Sequence, residues 1–564
     1  MIKRDVIGVS LILLLILLPA CTPLWGNSED LGVETTWTET PTPFGPIEIP
    51  TQIFLPTIVS PFNVPTEQIP TIDRDLQIWA SNAVPILLSS YLKSSDYKIT
   101  SDENGARYHL VTKPLKEEGL SAWIYVLVVP FPTITDGIKW EEFLNLWQGG
   151  NTGPFANLSI WMDPATFEAL KSLIGAPANG KIRITTAEEI SNSAMDEQSF
   201  LAIVPFEALE PHWKVINLDG QSPISKTFNV DNYPLKVNFG FNEGETPEGI
   251  KLPASNRDPE KLTILVMTGV TALVRATAAK MERNGVLYPS EDIRDWLLAA
   301  DLTHISNEIP FAEDCPFPNP NQETLVFCSD PKYISLLEDV GTDIVELTGN
   351  HFQDWGSDAT KLTIQMYKQR GWLYYGGGID LADARAAKLI INNGNKFAFI
   401  GCNPAGPVFA WATEFQPGAA PCDYAWMQSE VSRLRTEGYL PIVTFQYNES
   451  YSVQPLPEQT LDFQHMANAG AVIVSGSQAH LPQTMEFIKG SFIHYGLGNL
   501  FFDQMDYPVI GTRREFIDRH IFYNGKYIST ELLTAMLEDY SRPRPMTQEE
   551  RALFLEEIFR ASGW

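Results

Sequence analysis

Short apolar runs separated by amphipathic stretches fill the second half of the chain. Five of these runs have the length and composition of buried strands: residues 262–267, 343–347, 397–400, 441–445 and 471–474. Apolar residues recur at helical spacing between several of them, as at 293–298 and 359–369. This alternation predicts a layered α/β domain over residues 262–524. Each strand leads directly into a polar loop, and loops at the carboxyl ends of strands are where α/β sites form.

The preceding segment, residues 73–248, predicts a smaller α/β domain. Its apolar residues recur at helical spacing over 76–92, and 122–129 and 199–205 are runs typical of buried strands. Residues 140–149 form an amphipathic pattern that ends at Gly149, as a helix does.

Residues 199–223, with Asn232-Tyr233-Pro234-Leu235 after them, resemble the phosphate-type class of periplasmic binding proteins in strand order and turns. The resemblance implies a solute-binding module. No clear set of Ser, Thr and Arg residues that would clamp a ligand accompanies it, so a purely structural module remains the alternative.

The chain begins with a targeting pattern. Lys3 and Arg4 precede an apolar core at 11–18, and Leu18-Pro19-Ala20-Cys21 resembles a bacterial lipobox. Residues 1–21 are therefore predicted to be a lipoprotein signal peptide, with Cys21 lipidated. An ordinary secretory signal and an uncleaved anchor helix are the alternatives, and the apolar run is short for a membrane span. Residues 22–72 are rich in Pro and Thr and predict an extended tether.

The other end of the chain, residues 525–564, is predicted to be a helical tail. Thr547 and Glu550 have the spacing of a capping box just before an apolar run.

Charge narrows the choice of partners. The 564 residues carry a formal net charge of −29, from 69 acidic and 40 basic residues. Such a field repels nucleic acid, and no basic stripe offsets it, so nucleic acid is excluded as a partner. Apolar residues make up 44% of the chain, which is ordinary globular composition.

Four cysteines remain after Cys21. Cys315 and Cys328 bracket a Pro-rich segment, and Cys402 and Cys422 bracket another predicted loop. An even number in two local pairs predicts disulfides formed in an oxidising compartment. Three connectivities are open. CxxC spacing, which would indicate a zinc or redox motif, does not occur.

Three motifs at predicted strand ends carry the chemistry. They are Gly349-Asn350-His351 followed by Asp354-Trp355-Gly356, then Gly476-Ser477-Gln478-Ala479-His480, and residues 495–503. Together they resemble the capsule-synthesis protein family of poly-γ-glutamate systems. That resemblance implies a calcineurin-like metallophosphatase fold, an α/β β-sandwich flanked by helices.

The resemblance also implies roles for individual residues. Asn350 would be a metal ligand, His351 the proton donor to the leaving group, and Asp354 a residue that orients His351 or caps the next helix. Glu308, in Asn307-Glu308-Ile309-Pro310, and His480 stand where the family carries further ligands.

Three other ligand positions have changed. Val270 stands where the family has Asp, and Gln446 and Gln478 stand where it has His. A valine cannot coordinate a metal, and a neutral Gln carbonyl is a poor substitute for imidazole in a transition-metal site. The sequence therefore predicts at most one weakly bound divalent cation, held by Asn350, His480 and Glu308.

Three functions are consistent with these features. The first is an extracytoplasmic, membrane-anchored bacterial lipoprotein that handles a cell-envelope polymer, poly-γ-glutamate or similar, or contacts the machinery that makes it. The second is an active metal-dependent hydrolase of phosphoester or γ-glutamyl bonds. The third is a solute-binding lipoprotein in which the N-terminal module acts.

Overall fold

A computed structural model describes residues 74–93, 96–114, 120–195, 199–242 and 246–564. The predicted signal peptide with Cys21, and the predicted tether, lie outside the described residues.

A mixed sheet forms the first part of the described chain. Its strands and those of a small separate pair are β1 Gln77–Ala80, β2 Lys98–Thr100, β3 Tyr108–Lys113, β4 Ser121–Pro130, β5 Gly137–Ile138, β6 Ile160–Met162, β7 Ile182–Ile184, β8 Leu201–Pro205, β9 Trp213–Val215, β10 Asn217–Leu218 and β11 Lys236–Phe241. The helices are α1 Ile86–Ser90, α2 Trp140–Trp147, α3 Pro164–Ile174 and α4 Ala187–Met195. The strand order is β2-β1-β3-β11-β4-β8-β6-β7, with β9 also paired to β4 and β5 paired to β10.

Two predictions for this part have different outcomes. The strands at 122–129 and 199–205 and the helix from Trp140 are confirmed as β4, β8 and α2. The helix predicted over 76–92 is wrong, because β1 pairs in parallel with β2 and β3 and only α1 is helical. Pro85 precedes α1 with extended backbone, and proline disfavours helix at the residue before it.

The second part contains two further sheets. Its strands are β12 Leu262–Thr271, β13 Leu302–Asn307, β14 Thr342–Glu346, β15 Leu373–Tyr375, β16 Gly377–Gly378, β17 Lys388–Asn392, β18 Asn395–Cys402, β19 Gly418–Ala419, β20 Leu440–Gln446, β21 Ile473–Ser477, β22 Met485–Ile488, β23 Ser491–His494, β24 Arg514–Tyr523, β25 Lys526–Glu538 and β26 Arg542–Pro545. The helices are α5 Arg275–Asn284, α6 Arg294–Leu298, α7 Ile334–Asp339, α8 Gly356–Gln369, α9 Leu381–Arg385, α10 Tyr424–Thr436, α11 Pro457–Ala469 and α12 Gln548–Ala561.

The two sheets pack face to face. One has the order β15-β14-β13-β12-β24-β25-β26 and the other β17-β18-β20-β21-β23-β22. Leu265 and Met267 of β12 lie in the core between them, where the rings of Phe397 and Phe522 are 4.8 Å apart. Val266 faces the opposite way, into the core beneath the helices. Side chains alternate in this way because successive residues of a strand face opposite sides. The predicted layered α/β sandwich flanked by helices is confirmed.

The predicted helical tail needs a correction. Residues 526–545 form β25 and β26, and only α12 is helical, beginning at the Thr547–Glu550 capping box. Asn524 and Gly525 explain the difference, because both have positive φ and they join β24 to β25 as a two-residue turn. An Asn-Gly pair between strands is the strongest short-range hairpin signal.

Both disulfides join cysteines that are close in sequence. Cys315 pairs with Cys328 and Cys402 with Cys422, with Cα atoms 5.7 and 5.0 Å apart. Of the three connectivities that the sequence leaves open, the structure has the local one. Within the described ranges, no helix combines the length and hydropathy required to cross a membrane.

Candidate functional site

The polar loops of the second part meet at one edge of the sandwich. Strands β12, β13 and β14 are parallel, as are β18, β20 and β21, so the loops that follow them lie at the same edge. A cleft of about 730 Å³ opens there. Its lining includes the three predicted metal ligands, Glu308, Asn350 and His480, and the predicted proton donor, His351. The structure therefore brings together residues that are up to 172 positions apart in the sequence.

The carboxamide of Gln446 lies where these loops converge. Its Nε2 donates to Glu308 Oε1 at 2.9 Å, to Asn350 Oδ1 at 3.2 Å, and to the side-chain oxygen of Gln478. Its Oε1 accepts a hydrogen bond of 2.6 Å from Ser477 Oγ. Because an ionised carboxylate can only accept, the contact with Glu308 fixes the orientation of the amide. One neutral side chain thus connects four loops.

A buried acid lies below this amide. Glu346, at the end of β14, accepts a hydrogen bond of 2.5 Å from Thr348 Oγ1, and Ser477 Oγ lies 3.3 Å from the same carboxylate oxygen. Burial raises the pKa of Glu346, and the surrounding hydroxyl groups oppose the rise. This residue was missed by sequence reasoning, although an acid inside the apolar run 343–347 was a signal that it has buried partners.

His351 and Asp354 form a hydrogen-bonded pair at the wall of the cleft. His351 Nδ1 and Asp354 Oδ2 are 2.7 Å apart, and the same carboxylate oxygen accepts from the Phe327 backbone N–H at 2.9 Å. Burial of the ring opposes protonation, but the Asp354 bond and the charge of Glu308 outweigh it, so the pKa of His351 is raised. A histidine held in this way can act as a proton donor. The Asp354 carboxylate thus holds the His351 ring in place through this bond.

His480 is held on the other wall of the cleft. Its Nδ1 lies 2.8 Å from Asn499 Oδ1, and its ring stacks against Phe502 at 5.1 Å. Its Nε2 is 4.0 Å from Glu449 Oε1. The orientation of the ring is therefore set by Asn499, which sequence reasoning did not single out as a partner.

An arginine at the mouth of the cleft was also missed. Arg275 pairs with Asp503 through two nitrogen atoms and lies over the rings of Phe327 and Phe502, 5.3 and 5.0 Å from their centroids. Asp503 also accepts from the Ala276 backbone N–H at 3.0 Å and so caps α5. The motif at 495–503 ends with this aspartate, which was the available signal.

The donor set does not fit a two-metal centre. Val270 is buried in β12 and offers no donor atom, and Gln446 turns amide hydrogens toward the oxygens of Glu308 and Asn350. A divalent cation needs lone pairs directed at it, and two such ions need several anionic ligands. Across the part of the chain that the structure describes, no three His, Cys, Asp or Glu residues are grouped to bind a metal ion.

The N-terminal part has a groove of its own. It has a volume of about 940 Å³ and runs past the start of α3, with mainly apolar walls. Its acids are engaged, since Asp163 accepts from the backbone N–H groups of Ala165 and Thr166, and Glu207 accepts from Trp123 and Asn256. No Lys, Arg or His is among the described residues of its lining, so the groove offers no cation to a phosphate.

The fold and the cleft define the class of this protein, a layered α/β sandwich with its site loops at one edge. Residues 264–504 match the model of the family described as bacterial capsule synthesis protein PGA_cap. The resemblance seen in the motifs is confirmed by this match.

Two curated relatives agree with the match. The capsule biosynthesis protein CapA of Bacillus anthracis is 27% identical over 257 residues, which are 45% of this chain and 62% of that protein. The PGA biosynthesis protein CapA of Bacillus subtilis (strain 168) is 28% identical over 174 residues, 30% of this chain and 45% of that protein. The chain therefore spans less than two thirds of the length of either relative.

Two solved structures are similar to this chain, both with low TM-scores. A 5′-nucleotidase precursor from Thermus thermophilus has a TM-score of 0.30 at 13% identity and covers 53% of this chain and 59% of its own. An ABC-type phosphate transport receptor from Vibrio cholerae has a TM-score of 0.25 at 11% identity, covering 30% of this chain and 88% of its own. Scores at this level bear on neither substrate nor activity.

Proposed function

We propose that this protein is an extracytoplasmic lipoprotein that takes part in capsule polymer synthesis without two-metal hydrolysis. Cys21 would carry the lipid, and the polymer would be poly-γ-glutamate or a similar envelope chain. The family match over residues 264–504 supports the role in capsule synthesis. The observation that argues against two-metal hydrolysis is the Gln446 amide nitrogen, which lies within hydrogen-bonding distance of Glu308, Asn350 and Gln478.

The physical argument concerns charge. Two dications held about 4 Å apart repel each other strongly unless anionic ligands lie between and around them. In this cleft the family aspartate is Val270, and two imidazoles are carboxamides. Of the family ligand positions, one carboxylate remains, Glu308, with Asn350 and His480, a set suited to no more than one weakly bound divalent cation.

Metal content and hydrolysis test this proposal together. We expect the purified full-length protein to hold less than one equivalent of Mn²⁺ or Zn²⁺ after dialysis. We also expect it to hydrolyse a model phosphodiester at the background rate, with no change in His351→Ala. Two tightly bound ions, with turnover abolished by His351→Ala, would refute the proposal.

A variant that restores the three family ligands provides a second test. Val270→Asp, Gln446→His and Gln478→His together return the family ligands, so we expect metal affinity to rise. Gln464→His is the matched control, because Gln464 bonds Glu486 at 2.9 Å on α11 and lies outside the cleft lining. Equal metal binding by the control and the triple variant would show that added histidines alone account for the gain.

An active hydrolase is the second candidate. The observation in its favour is the His351–Asp354 pair, whose 2.7 Å bond and raised pKa suit a general acid. Phosphoester or γ-glutamyl bonds would be its substrates. The metal and turnover measurements above decide between the two candidates. Solute binding by the N-terminal part has less support, because its groove lacks cationic side chains among the described residues.

A further inference from the structure

A second cavity lies away from the cleft, where the N-terminal sheet meets β24, β25 and α12. Its volume is about 280 Å³. Lys214, Arg519 and Arg551 line it together with two carboxylates, Asp136 and Glu531. The lining therefore has a formal charge of +1 in a chain whose formal net charge is −29.

The cations and carboxylates that line this cavity do not pair one to one. Lys214 Nζ lies 2.7 Å from Asp136 Oδ1, and Arg551 Nη2 lies 3.1 Å from the same oxygen. Two cations thus share one carboxylate, and their remaining contacts are with neutral carbonyl oxygens: Lys214 Nζ donates to Thr133 and Ile134, and Arg551 Nη1 to Ile134. Arg519 Nη1 is 3.4 Å from Glu531, a weak contact for an ion pair.

One buried donor in the lining has no acceptor. Arg519 Nε makes no hydrogen bond, and the half-buried Asn217 carboxamide lines the same cavity. Donors held away from bulk water are nearly always satisfied by protein, ordered water or a ligand, because an unmet donor is costly. Arg519 Nε therefore points to an acceptor that enters the cavity from outside.

We propose that this cavity binds the carboxylate group of a small organic anion. The carboxylate accepts from Arg519 and Asn217, and Val215, Leu532 and Phe559 surround the short hydrocarbon portion of the ligand. The volume is near the lower limit of about 300 Å³ for ligand pockets, so the ligand is small or is the end of a longer chain.

The charge state of Lys214 supports this assignment. Burial lowers its pKa to about 8, although Asp136 acts in the opposite direction. The negative charge already present therefore does not offset the desolvation of Lys214, and a further anion in the cavity would stabilise its charged form.

Such a ligand would contact both parts of the chain, since Lys214 and Asn217 belong to the N-terminal part and Arg519 to β24. None of the cavity residues lines the cleft around Gln446, so the two proposals stand or fall separately.

Glutarate is a suitable probe, titrated by calorimetry into the full-length protein in detergent. We expect saturable binding that weakens about tenfold or more in Arg519→Gln, the effect of removing one charged hydrogen bond. Arg370→Gln is the matched control, because Arg370 also pairs with a carboxylate, Glu338 at 2.6 Å, but lies outside this cavity. We expect it to bind glutarate as the wild-type protein does.

A second variant tests the proposal even if Arg519→Gln does not fold. Asn217→Asp is nearly isosteric and places a negative charge in the cavity, so it should abolish binding while Arg519 remains. A flat glutarate titration of the wild-type protein would overturn the proposal, and so would unchanged binding in Asn217→Asp. Inorganic phosphate that displaces glutarate with higher affinity would overturn the assignment to a carboxylate. Tighter binding of a short γ-linked glutamate chain would identify a polymer end as the source of the group.

Discussion

The hydrogen bonds of Gln446 can be tested by their contribution to stability. Gln446→Met keeps the length and most of the volume of the side chain but removes every hydrogen bond of the amide. Glu308 and Gln478 also line the cleft but are almost fully buried, so water would replace the lost donor only in part. Asn350 faces the cleft and can find water instead.

The magnitude follows from the three contacts that are least accessible to water. A hydrogen bond to a charged group contributes about 1.5–3 kcal/mol and a neutral one about 1 kcal/mol. Glu308 provides the first, and Gln478 and Ser477 provide the others. Allowing for non-additivity between neighbours, Gln446→Met should cost about 3 kcal/mol. A domain of about 250 residues loses about 2 °C of Tm per kcal/mol, which gives a fall of about 6 °C.

Differential scanning calorimetry of the full-length protein measures this fall. Gln464→Met, which removes one hydrogen bond to Glu486 at a half-buried position, should lower Tm by no more than about 2 °C. In a double-mutant cycle, Glu308→Gln should be less harmful in the Gln446→Met background, because it removes an unpaired buried charge. A Tm for Gln446→Met within about 1 °C of the wild-type value would refute the account of the site given above.

Three further outcomes are expected. Glu515 is fully buried, neither of its carboxyl oxygens is hydrogen-bonded, and burial raises its pKa well above 4.5. The folded state therefore holds a proton that the unfolded chain releases, so the free energy of unfolding falls as pH rises above about 4.5. Glu515→Gln removes this cost, so its Tm should exceed the wild-type Tm by more at about pH 8 than at about pH 5. NMR titration of His351 should give a midpoint above 6.5 that falls in Asp354→Asn, and a midpoint unmoved by that change would contradict the pairing. Cys21→Ser should abolish lipid labelling and membrane association, and unchanged partitioning into detergent would count against lipidation.

Much of the site could be predicted from the sequence because its residues lie in short local motifs. Asn350, His351 and Asp354 fall within five positions, and the strands that precede the loops are recognisable apolar runs. Once those strands are placed as parallel neighbours in two sheets that pack face to face, the loops that follow them meet at a common edge. The cleft that contains Glu308, Asn350, His351 and His480 follows from that topology.

Contacts between distant segments could not be predicted in the same way. Nothing local to Arg275 indicates Asp503, 228 positions away, and nothing local to Asp136 indicates Arg551. The helix predicted over 76–92 failed for a related reason, since the pairing of β1 with β2 and β3 decides its conformation. The Asn524-Gly525 turn, by contrast, is a local signal that was available and was overlooked.

The hydrogen bonds of Gln446 also predict what happens when only one of the three lost family ligands is restored. The amide connects Glu308, Asn350, Ser477 and Gln478, so it holds together loops that metal ions would otherwise hold. Gln446→His alone breaks these bonds, while Val270 still supplies no carboxylate. We therefore expect the single variant to have a lower Tm than the wild type, with no recovery on addition of Mn²⁺.

Val270→Asp, Gln446→His and Gln478→His together should behave differently, because bound metal then replaces the lost hydrogen bonds. At a Mn²⁺ concentration about 100 times the dissociation constant, binding stabilises the folded state by about 2.7 kcal/mol, close to the loss expected from removing the amide. The triple variant should therefore regain most of its Tm in Mn²⁺ and lose it again in chelator. Full recovery of the single variant in Mn²⁺ would show that the remaining oxygen and imidazole ligands suffice, and that the amide is not what keeps metal out.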